Sequence, residues 1–460
     1  MKLSSSLESI PKLADALRSL DPLEVAEASI AIRKILSVDR NPPIDQVLRA
    51  GILPRLRELL GDASRPNVQL ETCWSLTNIA SGSAEQTQAV VQSGVVPLFV
   101  QLLGSSDTCL QEQAVWALAN IAGDRPEYRD GCISVGTVDA LARIVDACSS
   151  VQLTRLAVWG ISNMCRGRPS PDFEKLASCL PCIGKVIMAS NDTEVLADGS
   201  WALSYLTDNP SRHNVLTILS HINLNRIIAL LGHPSSSVHT PVLRVIGNLV
   251  SGDSYVTGKV VDNGALQQLK ILILSNKKSV RKESLWAISN ICADSHALIQ
   301  KVIDSGLMQR VCDLLKDATS TDADIRTEAA WTVCNACTVG KDSQIRLLVT
   351  DSRYRVIELL SSYLESCHDS RSIIITLDAI FAVLQSGCGS ANIYTPILEE
   401  CGGLTTVENL QEDESEEVYK SAVRILESFF NCHDINEDPK ENTGIVFDFT
   451  GNRSPFARSG

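Results

Sequence analysis

Short apolar runs with helical spacing alternate with small polar turns along most of this 460-residue chain, and the alternation keeps a fixed order. One short run ends at a glycine and a second follows at once, as in VVQSGVVPLF and VVDNGALQQL. A polar turn such as GSSD or SNKKS comes next, then a longer amphipathic stretch. Gly51, Gly94, Gly136, Gly264 and Gly306 all fall between the first two runs. The residue just past a helix end commonly needs the left-handed conformation, which glycine adopts without a Cβ penalty. Each cycle thus predicts a short helix, a glycine turn, a second helix, a polar turn and a longer third helix.

The third stretch carries a recurring W-x-x-x-N, as in ETCWSLTNIASG, EQAVWALANIAGD and KESLWAISNICA. All six tryptophans belong to it, at positions 74, 116, 159, 201, 286 and 331. The interval is about 42 residues except for one double step, where PVLRVIGNLVSG places Arg244 and Asn248 in the expected register. In the copy that begins at Trp201, Tyr205 stands in the asparagine place. A three-helix repeat of this length predicts armadillo units rather than the shorter ankyrin or tetratricopeptide repeats. The expected fold is all-α, a right-handed superhelical solenoid of about ten three-helix armadillo repeats. They occupy residues 1–434 and end near 39, 82, 124, 167, 209, 252, 294, 339, 387 and 432. The first repeat and the last two lack the tryptophan, as suits units that cap a stack. Residues 435–460 are polar and are expected to be a disordered tail.

Residues four apart on a helix share a face, so every third helix should show an indole beside a carboxamide. A carboxamide matches both the N–H and the C=O of a peptide unit. An extended peptide rises about 3.3 Å per residue, and packed helices repeat at about 8–10 Å, so one repeat spans roughly three peptide residues. Neighbouring indoles can flank the methylenes of Lys or Arg and attract the charged head. Acids stand beside these positions: Asp124 four residues after Asn120, and Asp198, Glu283 and Glu328 three before their tryptophans. A lone W-x-x-x-N is most simply core plus an internal tie. Six copies in one register, with no tryptophan elsewhere, favour a ladder for basic peptides.

Composition agrees. The formal charge is -13, which attracts basic ligands and disfavours nucleic acid and anionic membrane. No apolar run is long enough to span a bilayer, and the N-terminus lacks a signal-peptide core. The 15 cysteines fall mostly in apolar runs without framework spacing, which suggests reduced thiols of the cytosol or nucleus. Two C-x-x-C pairs, Cys179/Cys182 and Cys334/Cys337, read as small core residues, so no metal or cofactor is expected. The seven histidines are scattered and no catalytic constellation is present. QEDESEE at 411–417 reads as an acidic helix start.

The phrases SVDRNPPIDQVLRAGILPRL, WSLTNIASGSAEQT, EQAVWALANIAGD, WALSYLTD and LRVIGNLVSG resemble the repeats of importin-α, and the resemblance covers about residues 5–432. Tyr205 and Arg244 break the ladder where that family also breaks it. The resemblance implies a nuclear import adaptor that binds basic nuclear localisation signals of cargo proteins and shuttles between cytoplasm and nucleus. It implies a major peptide site at Trp74, Asn78, Ser81, Gly82, Thr87, Gln113, Trp116, Asn120, Asp124, Trp159, Asn163, Arg166, Asp198 and Trp201. It implies a minor site at Arg244, Asn248, Val250, Thr257, Glu283, Trp286, Asn290, Glu328, Trp331 and Asn335. Asp124 would pair with the lysine that the family's signals need most. A nuclear export receptor would use the C-terminal repeats.

Two features depart from the family pattern. Gly252-Asp253-Ser254 sets an acid one residue early, which bears on minor-site affinity. The Arg/Lys-rich N-terminal segment that docks importin-β and competes with cargo has no counterpart in this sequence, so constitutive peptide binding and no importin-β docking by that route are expected. The competing reading is an armadillo scaffold that binds other linear peptides without a transport role.

Overall fold

The computed structural model describes residues 3–208, 210–317, 322–389 and 392–430; the polar tail expected at 435–460 lies outside them. Among the described residues there are helices and turns and no strand. None of the helices is long and apolar enough to cross a membrane.

The predicted cycle is visible in the second repeat. Ile44–Arg49 is a short helix, Gly51 turns the chain, Leu53–Leu60 follows, and Pro66–Ala80 is the long third helix. The next repeat runs Ala84–Gln92, Val96–Leu102 and Thr108–Asp124. The polar turns supply helix starts: Asp107 of GSSD accepts the Cys109 N–H at 2.8 Å, and Asp192 and Asp369 cap later third helices likewise. Such caps contribute about 1 kcal/mol each.

All five predicted turn glycines have positive φ, from 65° at Gly51 to 91° at Gly264. The ninth repeat has no glycine there. Arg355, at φ 47°, stands in the same place ahead of the helix Val356–Glu365. The turn geometry is therefore imposed by the flanking helices, even on a residue that adopts it at some cost.

Contacts divide the chain into two compact blocks, Met1–Ile227 and Ile228–Gly460. In the first, the long helices Pro22–Leu36, Pro66–Ala80, Thr108–Asp124, Val151–Cys165 and Thr193–Leu206 pack in succession, each on the next. In the second, Ser236–Leu249, Lys278–Asp294, Ala323–Val339, Ser370–Ser386 and Glu416–Phe429 do the same. Their inner faces hold a leucine, isoleucine and valine core, including Leu76, Ile79, Leu118, Ile121, Leu285 and Ile288.

The cysteines behave as small hydrophobes. All described cysteines are free and most are buried. Burial pushes the Cys292 and Cys334 thiols up to about 12. No cluster of metal-ligating side chains occurs among the described residues.

Two glycines separate turn strain from helix propensity. A Cβ would meet nothing within 4 Å at Gly136 or at Gly131, but Gly136 has φ 84° while Gly131 lies inside the helix Pro126–Ser134. Gly136→Ala is expected to destabilise by about 1–2 kcal/mol, and Gly131→Ala to stabilise by about 0.5–1 kcal/mol. Denaturant titration of the two variants checks both; equal effects would remove the turn argument.

Candidate peptide-binding face

Most of each candidate residue set falls on one of the two runs of long helices, the first on repeats two to five and the second on repeats six to eight, while Thr87 and Thr257 lie on the short helices Ala84–Gln92 and Ser254–Asp262. In the first run Trp116 is 44% exposed and Trp74, Trp159 and Trp201 are half-buried. Indoles thus emerge at every step while their neighbours at the flanking positions enter the core.

The asparagines tie neighbouring helices and keep hydrogen-bonding atoms uncommitted. Asn163 donates from Nδ2 to the Ala119 carbonyl of the preceding long helix at 3.3 Å. Asn290 donates to the Gly247 carbonyl at 3.2 Å, and Asn335 to the Ser289 carbonyl at 3.1 Å. In every case the acceptor directly precedes the asparagine of the repeat before. Asn78 reaches Ser37 Oγ at 2.9 Å, and that hydroxyl donates to the Arg33 carbonyl at 2.8 Å. These bonds are internal ties between helices. At Asn78, Asn163 and Asn290 they use one donor and leave the second N–H and the oxygen, whereas Asn335 also donates to Ser289 Oγ at 3.0 Å and leaves its oxygen. No described residue donates to Oδ1 of Asn78, Asn120, Asn163, Asn290 or Asn335, and none of those oxygens is sealed from solvent. Asn120 makes no side-chain hydrogen bond to a described residue, so its whole amide is open. Gln113 Oε1, three residues before Trp116, is buried and accepts no hydrogen bond there.

The remaining first-run residues frame this face. Ser81 and Gly82 are exposed at the end of their helix, with Ser81 Oγ donating to the Asn78 carbonyl at 2.9 Å. Thr87 is buried, 3.1 Å from the Ala80 carbonyl. Arg166 is exposed, and its carbonyl accepts from the fully buried guanidinium of Arg129 at 2.8 Å. Tyr205 stacks on Trp201 with centroids 5.8 Å apart, which closes the ladder's break with a second ring.

Acids stand where the sequence put them, in different states. Asp124 pairs with its neighbour Arg125 at 3.0 Å, and that guanidinium lies 4.9 Å from the Tyr128 ring. Asp198 has no hydrogen bond or ion pair with a described residue. Burial, and then Glu194 one turn away, raises its carboxyl to about 6. Sequence reasoning overlooked Glu71, although its spacing three before Trp74 matches that of Asp198 from Trp201. Glu71 binds Arg33 at 2.7 Å.

The second run is more closed. Arg244, in the tryptophan place, is bound to Glu283 at 3.1 Å. Trp286 rests on Gly247, where a Cβ would overlap Cζ3 of its ring. Val250 and Thr257 are buried, and Asn248 is half-buried. Asp253, the early acid, accepts the Tyr255 N–H at 2.9 Å and caps the helix Ser254–Asp262. Trp331 departs from the expectation of a slot wall: it is only 2% exposed and its Nε1 donates to Ser372 Oγ at 3.1 Å. Arg371 lies over its ring at 5.5 Å, so the ninth repeat's long helix covers what the earlier repeats leave open. Glu328 is buried with it, at 4%.

The Armadillo/beta-catenin-like repeat family matches residues 40–81, 83–123, 254–293 and 295–338, and the Atypical Arm repeat matches 392–443. A crystal structure of an engineered protein superposes with a TM-score of 0.81 at 27% identity, covering 91% of this chain and 98% of that one. Importin subunit alpha-1b of Oryza sativa subsp. japonica is 38% identical over 467 residues, covering 100% of this chain and 86% of that protein. The chain belongs to the importin-α family. Importin subunit alpha-4 of Arabidopsis thaliana is likewise 38% identical, over 97% of this chain and 84% of its own length. Probable importin subunit alpha-A of Dictyostelium discoideum is 35% identical, over 98% and 84%. Importin-α membership gives the chain the general role of a nuclear import adaptor.

The state of Asp198 on this importin-α face is measurable. A carboxyl raised in the folded protein holds its proton longer than in the unfolded chain, so its contribution to stability falls as pH rises from about 4 to about 6. Asp198→Asn should therefore flatten the fall in melting midpoint over that range and raise the midpoint at pH 7. Parallel curves for the two proteins would show an ordinary carboxyl.

Proposed function

We propose that the first run of long helices holds an extended Lys/Arg-rich segment of a cargo protein, a nuclear localisation signal. The observation that carries the reading is the row of ladder asparagines whose oxygens, and at Asn120 both donors, remain uncommitted beside half-buried indoles. Asparagines hold the peptide backbone whatever its sequence. Basic side chains enter between Trp74, Trp116, Trp159 and Trp201, methylenes against the rings and heads toward the acids. A lysine ammonium takes the Arg125 position at Asp124, exchanging a surface ion pair for one that the bound peptide shields from water. A surface pair contributes about 0–1 kcal/mol, so the exchange is cheap.

The second run offers Asn248, Asn290 and Asn335 with Trp286, but Glu283 is engaged by Arg244 and Trp331 lies in the core. It acts as a weaker site. Importin-β and a nuclear export receptor are the further partners of this reading, the latter at the C-terminal repeats, and the protein shuttles between cytoplasm and nucleus.

A peptide of the K-K/R-x-K/R type is expected to bind with micromolar or better affinity by calorimetry, less tightly at higher salt because screening acts beyond about 8 Å at physiological ionic strength. Asp124→Lys should abolish this at an unchanged melting midpoint, since truncating or opposing a desolvated pair costs about 2–5 kcal/mol. No heat with the native protein, or undiminished binding by Asp124→Lys, overturns the assignment.

The two jobs of asparagine can be separated. Asn120→Ala should weaken peptide binding by about 1–3 kcal/mol and leave stability alone, because only ligand groups lose a partner. Asn163→Ala should weaken binding and also lower stability by about 0.5–1.5 kcal/mol through its lost tie. Calorimetry and denaturant melts on both variants decide; a stability loss in Asn120→Ala equal to that in Asn163→Ala would make both residues merely structural.

A further inference from the structure

At the N-terminal end of the first run the chain occupies a slot with its own side chain. Arg33 lies on the long helix of the first repeat. Its Nε binds Glu71 Oε2 at 2.7 Å and its Nη2 approaches Oε1 at 3.4 Å. The same guanidinium sits 4.8 Å from the Trp74 ring centroid. Both charged side chains are largely enclosed, at 20% and 19% exposure. A cation on an indole face, with a carboxylate one helical turn before that indole, is the chemistry proposed above for a bound basic residue. Here it is satisfied internally. No Lys or Arg among the described residues lies over Trp116, Trp159 or Trp201 in this way.

The backbone ladder ends at the same point. The asparagine ties mark the register between long helices, and through Ser37 the Asn78 tie lands on the Arg33 carbonyl. Lys34 therefore takes the asparagine place in the first repeat, and Ile30, four residues earlier, the tryptophan place. Both are exposed. Past Trp74 an arriving peptide meets no carboxamide and two cations. The second run begins alike: Arg244 stands in the tryptophan place and binds Glu283, three residues before Trp286.

We propose that Arg33 is an internal stop that fixes where a bound basic peptide ends on the first run. It acts as a specificity-determining residue, filling the Trp74–Glu71 position so that basic residues bind between Trp74 and Trp201 and gain nothing beyond. The inference rests on the reading of this face as a basic-peptide site.

The test compares two lengths of ligand on the full chain. A short basic peptide is measured beside versions lengthened by three residues, one repeat's span, with an added Lys at one end or the other. With the native protein neither extension should improve affinity more than about twofold, because the next slot is filled and flanked by positive charge. In Arg33→Met the slot keeps its aliphatic wall and frees Glu71, so one of the two extensions should gain about tenfold over the short peptide. Arg33→Gln serves as a second opening variant should the first misfold. Glu71→Gln, which removes the acceptor, should show no such gain. A tenfold gain already in the native protein, or an unchanged ratio in both Arg33 variants, overturns the stop. Failure of the short peptide to bind the native protein rejects the peptide-site reading itself, and with it this inference.

Discussion

At three steps the register between successive long helices is held by a bond from one carboxamide to the carbonyl just ahead of its counterpart in the preceding repeat. Everything on the candidate face follows from that alignment. It sets the indoles in a row, keeps the acids one turn from them and orients each Oδ1 away from the tie. A hydrophobic core alone would tolerate sliding between helices that bury similar leucines and valines. A directional bond to a partly buried carbonyl does not, because a slipped helix would strand both groups. Structural tie and binding group are thus not rival readings of these asparagines. The same amide has atoms enough for both, because it carries two donors and an acceptor.

Charge distribution sets what the candidate face can offer a basic ligand. Acidic side chains could as well be spent on the protein's own cations, and several are. Glu71 and Glu283 are tied to arginines from the repeat before, and Asp124 leans on the arginine beside it. Asp198, unlike Glu71 and Asp124, stands without such a partner, and burial raises its carboxyl. The face in the absence of ligand is therefore a graded series: an occupied end, an exchangeable pair in the middle, and an uncompensated acid at the far step.

Much of this was legible in the sequence because its carriers are rare residues in strict register. Tryptophan, asparagine and the turn glycines each mark a fixed place in the cycle, and a period is hard to produce by accident. The armadillo fold and the first-run tryptophans and asparagines followed from that. Details that depend on neighbouring helices were not legible. Nothing local to EAAWTVCNAC distinguishes Trp331 from the other indoles; its burial comes from Arg371 and Ser372, forty residues on. Arg355 could not be read as a left-handed residue, since the sequence there offers no glycine to signal the turn. Glu71 was accessible by spacing alone and was overlooked. Arg33 gave no signal, because the first repeat lacks the motif that would have drawn attention to it.

The contact between Gly247 and the Trp286 ring has a bearing on how such a face can change over evolutionary time. The aperture beside that indole is governed by the absence of a single carbon on a different helix, about forty residues away. A one-base substitution could therefore retune which ligands fit without touching any residue that meets them. Divergence of preference among copies of such a gene would then be found in the residues behind the rings, where a comparison restricted to ligand-contacting positions would not look.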